Sequence, residues 1–125
     1  MTVKSYRELI VWERSLELAC QVYRLTGRFP SEERFSLTVQ MRRAAISIVS
    51  NIAEGHARHS RGDFRRGVSV ALGSLAELET QLELSSRLGF ATSADLGDLR
   101  GLTDQVGQML GAMSSRLRKA NPPAR

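Results

Sequence analysis

The stretch QMRRAAISIVSNIAEGHARHS, Gln40 to Ser60, sets three arginines, an Asn, a Glu and two histidines into an otherwise apolar run. Acid–base or metal chemistry would need such groups to converge. Glu54 lies four residues after Ser50 and four before Arg58, so on a helix it bonds locally and pairs with Arg58 in the favourable order. Arg43 is about three turns from Glu54 and must find its anion on another element, with Glu77 or a carboxylate of another subunit as its choices. Buried ions of this kind persist when paired, and their use is to fix register and assembly geometry. His56 and His59, at i and i+3 with Glu54 and Asp63 nearby, offer a metal-like spacing. A di-iron bundle, however, draws carboxylates from several helices and an ExxH from each of two. This chain has two histidines in all, both at one helix end, and they read as a solvated pair. There is no GxxxxGK[ST] loop, GxSxG elbow, HExxH or dinucleotide fingerprint. Cys20 falls at an apolar position, where a thiolate is poorly activated. No catalytic residue, metal ligand or cofactor site is assigned, and the chain reads as non-enzymatic.

The segment HARHSRGDFRR carries a different chemistry. Arg58, Arg61, Arg65 and Arg66, with His56 and His59, are offset only by Asp63 and surround the start of the next helix, where amides and dipole also favour phosphate. The whole chain carries a formal charge of +5, which attracts polyanions at the level of encounter. This turn therefore reads as a binding surface for RNA or DNA backbones, against the plainer reading of a solvated basic turn. Base-specific readout is not supported. No helix-turn-helix signature is present, and the aromatics are not interleaved with the basic residues.

Four helical segments must position these groups, at about 9–28, 31–58, 61–88 and 93–119, broken at Phe29-Pro30, Arg58 to Gly62 and Gly89 to Ser93. Ser31 is the expected N-cap of the second, Ser60 with Asp63 of the third, and Gly89 stops the third. Short connections between long helices predict an all-α, antiparallel up-down-up-down four-helix bundle, a single domain over 1–120 with a disordered tail at 121–125. In the first helix the core stripe is expected to be Leu9, Trp12, Leu16, Ala19, Cys20 and Tyr23, with a second apolar stripe of Val11, Leu18, Val22, Leu25 and Phe29 opposite. The second helix is doubled too. Leu37, Met41, Ala44, Ala45, Ile48 and Ile52 lie on one side, Phe35, Val39, Ile46, Val49 and Ala53 on the other, with a thin polar seam between them. Gly55 shares the angular position of Leu37, which suits close approach of a neighbouring helix or turn. The fourth helix is apolar on one face only. Apolar surface left after one core is filled predicts a homo-oligomer with the first two helices at its contacts. No run approaches the roughly 18 apolar residues of a membrane span. Charges at Lys4, Arg7 and Glu8 do not suit a signal peptide, so a cytoplasmic, membrane-free protein is expected.

FPSEERFSL at 29–37, QMRRAAISIVSNIAEG at 40–55 and GSLAELETQL at 73–82 carry a family resemblance. From Tyr6 to about Leu117 the chain resembles bacterial four-helix bundle proteins encoded in intervening sequences of large-subunit ribosomal RNA. More distantly it is similar to the accessory variability determinant protein of diversity-generating retroelements. The resemblance implies a ring-like homopentamer without known enzymatic activity. The retroelement relative implies in addition a basic surface for nucleic acid and a reverse transcriptase partner. The family motif falls on Gln40, Arg43, Asn51, Glu54 and Gly55. The alternative function is a protein-interaction scaffold that ignores nucleic acid.

Overall fold

The structure is a computed structural model and describes residues 3–119; the tail expected at 121–125 lies outside them. Four helices account for the fold: α1 (Ile10–Thr26), α2 (Leu37–Ala57), α3 (Arg61–Arg87) and α4 (Ser93–Lys119). Each packs on its neighbours in sequence and α4 closes on α1, and among the described residues no diagonal pair of helices brings its backbones close. This is the all-α antiparallel bundle that the short connections dictate. It puts the start of α1, the end of α2, the start of α3 and the end of α4 at one end of the molecule.

Local chemistry fixes the helix ends. Ser60 caps α3 by accepting from the Asp63 amide at 3.1 Å, and Gly89 leaves α3 at φ 80° in the left-handed region. Thr92 and Asp95 form a reciprocal box at the start of α4, each side chain accepting from the other's backbone N–H at 3.1 and 2.9 Å. The second helix starts later than Ser31. Ser31–Glu33 is a 3-10 turn, and α2 begins only at Leu37, where Glu33 Oε1 accepts from both Ser36 Oγ and the Leu37 amide. A carboxylate three to four residues back thus replaces the expected serine cap. The first helix starts at Ile10, behind a 3-10 turn over Tyr6–Glu8.

The core is filled by Val11, Leu18, Val22 and Leu25 of α1, Met41, Ala45, Ile48 and Ile52 of α2, Val68, Ala71, Leu75, Leu78 and Leu82 of α3, and Leu96, Leu99, Val106 and Leu110 of α4. This divides the expected core stripe of α1, of which Ala19 is buried and Leu9 and Trp12 pack against the core. Leu16 and Tyr23 are 37% and 42% exposed and Cys20 is exposed, while the stripe placed opposite them faces inward together with the fully buried Ser15. Both stripes are apolar, and the direction from which α2 and α4 approach decides between them. On α2 the expected core side is buried as a set, whereas the other side divides. Val49 is buried, Phe35 and Ile46 are 84% and 43% exposed, and Val39 and Ala53 lie between. No large hydrophobic of α4 stands exposed among the described residues. No helix is long and apolar enough to cross a membrane.

Candidate nucleic-acid interface

The turn between α2 and α3 is three residues, Arg58, His59 and Ser60. His59 takes φ 56°, a left-handed C-terminal stop, and its amide donates to the His56 carbonyl at 3.1 Å. The two histidines are not a solvated pair. His59 is exposed, but His56 is half-buried and stands perpendicular to the Phe64 ring at 5.2 Å, with its Nδ1 lacking a hydrogen-bond partner. Among the described residues no cluster of three His, Cys, Asp or Glu side chains is placed to hold a metal.

The four arginines of the turn are all exposed. Two are partly neutralised locally, Arg58 by Glu54 at 3.9 Å and Arg66 by Asp63 at 3.3 Å. Arg61 and Arg65 make no ion pair among the described residues. The fold adds cations that lie far off in sequence. Arg116, Arg118 and Lys119 end α4 at the same end, and Lys4 and Arg7 precede α1 there. Arg61 and Arg116 line one cleft with Phe64, Met113 and Leu117. With Arg14 of α1, ten cations from three chain segments thus lie at this end, with Glu8, Glu13, Glu54 and Asp63 against them. Arg7 is held over the rings of Tyr6 and Trp12, at 5.6 and 5.9 Å from their centroids. The signal that could have found the α4 cations is their place in the last turns of a fourth antiparallel helix, which must lie beside the α2–α3 turn.

The motif residues divide by face. Asn51 donates to the Ser47 carbonyl at 2.7 Å and to Ser47 Oγ at 3.1 Å, and Ser47 Oγ shares a hydrogen bond of 2.7 Å with Ser74 Oγ of α3. One turn on, Gly55 meets Gly67. A Cβ on Gly67 would stand 2.5 Å from the Asn51 carbonyl oxygen, and one on Gly55 3.2 Å from the Gly67 Cα, so two backbones touch where side chains cannot fit. Nothing in the local sequence marks Gly67 for this role. Gln40, Arg43, Glu54 and Glu77 are exposed, and the expected Arg43–Glu77 pair does not form; Glu77 instead accepts from Gln81 at 3.4 Å. The polar seam of α2 is the outward face of the single chain, and Arg43 makes no ion pair among the described residues.

Residues 7–112 match the family described as 23S rRNA-intervening sequence protein. The chain belongs to that family. No curated protein matches the sequence. A solved structure from Bacteroides thetaiotaomicron, described as a protein with unknown function from the S23 ribosomal protein family, is similar. It shares 27% sequence identity at a TM-score of 0.78, over 84% of this chain and 98% of that one. Gly55 belongs to the motif that carries the family resemblance, while its partner Gly67 lies between two of the resembling stretches.

Proposed function

We propose that this intervening-sequence protein is a non-enzymatic, oligomeric accessory factor that binds nucleic-acid phosphate backbones through the basic end of its bundle. The observation that carries this reading is the placing of ten cations against four carboxylates at one end. Arginines spread over a mobile chain would bind phosphates weakly. The same groups fixed on helix ends neutralise several phosphates together and release their condensed ions.

The oligomer is supported by the exposed apolar side chains of α1 and α2. Leu16 and Tyr23 of α1 and Ile46 of α2 are large and exposed, and Arg42 of α2 lies over the Tyr23 ring at 4.3 Å, which puts those flanks side by side. A homopentamer, the assembly the resemblance implies, would bury this band and repeat the basic end once per subunit, adding individually weak phosphate contacts. The test is anisotropy of a labelled structured RNA at several salt concentrations. Affinity falling linearly with log salt, and charge reversal at Arg61, Arg65 and Arg116 lowering both affinity and slope, is expected; binding indifferent to salt and to these changes would sink the reading.

A second reading, a scaffold that recruits a protein such as a reverse transcriptase, is favoured by Phe35. It projects 84% exposed from the opposite end, with Arg34 held 5.0 Å over its ring.

A further inference from the structure

The basic end is not uniformly polar. Two adjoining clefts open there, of about 330 and 230 Å³, and they share Arg61, Phe64 and Leu117. The first runs toward His56 and His59, the second toward Met113 and Arg116. Phe64 and Leu117 are half-buried, packed on the core from below, and they form an apolar floor flanked by two arginines from different helices. His56 stands against the Phe64 ring and fixes it. Phe64 lies inside the basic segment, between Arg61 and Arg65, so an aromatic does interleave with the cations, contrary to the expectation from sequence.

The exposed part of this floor is far smaller than a protein interface needs, and the arginines beside it suit a ligand that is apolar on one face and anionic at its edge. A duplex cannot use it, because its base faces are stacked and its phosphates lie outside. A nucleotide in a loop or single strand presents both a π-face and a charged backbone, and aromatic or apolar side chains beside arginines are how such bases are held. We propose that these clefts form a receptor for one unpaired nucleotide, its base against Phe64 and Leu117 and its flanking phosphates on Arg61 and Arg116. This rests on the polyanion reading above and narrows it from any backbone to strands with unpaired bases.

The test uses the full chain and an RNA hairpin carrying 2-aminopurine in its loop, beside a fully paired RNA duplex with the same number of phosphates. Saturable fluorescence change in the loop and binding about tenfold tighter than the duplex are expected, the gain of roughly one base stack. Phe64→Leu and, independently, Leu117→Glu should abolish that preference and the fluorescence change, with helical circular dichroism kept. Phe64→Leu, which removes no charge, should also leave duplex binding within about twofold of the parent. A DNA hairpin in parallel distinguishes the sugar, and the same loss on substitution there would support the receptor equally. Equal, salt-dependent binding of hairpin and duplex with silent 2-aminopurine would overturn the receptor and leave the polyanion reading intact. Absence of salt-dependent binding to every probe would remove both.

Discussion

At single residues, the tightest constraint is Gly67. Its α-carbon lies where α2 presents the Asn51 carbonyl, and a methyl group there must push two backbones apart, since no flexible side-chain tip can yield. Gly67→Ala should destabilise by about 1–3 kcal/mol or more, measured by urea unfolding. Gly55→Ala, with backbone atoms at 3.1 to 3.3 Å, should do so less. His59 has the opposite margin. A β-carbon in the left-handed region is strained, so His59→Gly should raise stability by up to about 1 kcal/mol and His59→Val should lower it. Asp95 supplies the pH dependence. The Thr92 backbone N–H, then the Thr92 hydroxyl and the Arg28 guanidinium at 3.4 Å, hold its carboxyl below the ordinary 3.8. A carboxyl lowered on folding stabilises fully above that ordinary value, and the contribution fades as pH falls through the folded one. Asp95→Ala should therefore melt earlier than the parent at neutral pH, and the gap should narrow on acidification below 3.8.

At the scale of elements, α1 is the informative case. Leu18 is fully buried and Leu16 is not, two positions apart on one helix. Leu18→Ala should cost about 2–5 kcal/mol in the folded chain. Leu16→Ala should barely move a monomer and should weaken the proposed assembly, which sedimentation over a concentration series reads. The fourth helix carries avoidable weakness. Gly97, Gly101 and Gly111 have nothing within 4 Å of where a Cβ would go, so Gly101→Ala should add up to about 1 kcal/mol by helix propensity alone, seen as a higher melting temperature. Arg42 braces the pair α1–α2. It donates to Thr26 Oγ1 at 2.9 Å as well as covering Tyr23, a role invisible in sequence because sixteen residues separate the partners.

At the scale of the whole molecule, the charge is polarised along the bundle, and binding should follow that axis. Reversing Arg61 or Arg116 should lower the log–log salt slope on single-stranded RNA by about 0.7 for each phosphate that is no longer neutralised. Reversal of Arg43, which stands on the side of α2 away from the basic end, should leave the slope unchanged and act, if anywhere, on oligomer mass.

Periodicity, caps and short turns made the four antiparallel helices legible, because 3.6-residue spacing and local hydrogen bonds act within a few residues of one another. The Ser60 cap and the Gly89 stop are of this kind, and so is the inward side of α2, where Leu37 to Ile52 form one dense stripe. The basic turn was legible as a charge run. Three things only the tertiary structure decided. Which apolar face of α1 turns inward depends on where α2 and α4 lie, and not on the stripe's own composition. The closeness of Gly55 and Gly67 depends on a backbone approach that no side chain announces. The union of Arg61, Phe64, Arg116 and Leu117 depends on bringing the end of α4 beside the first turn of α3, across a length of chain that local physics cannot span.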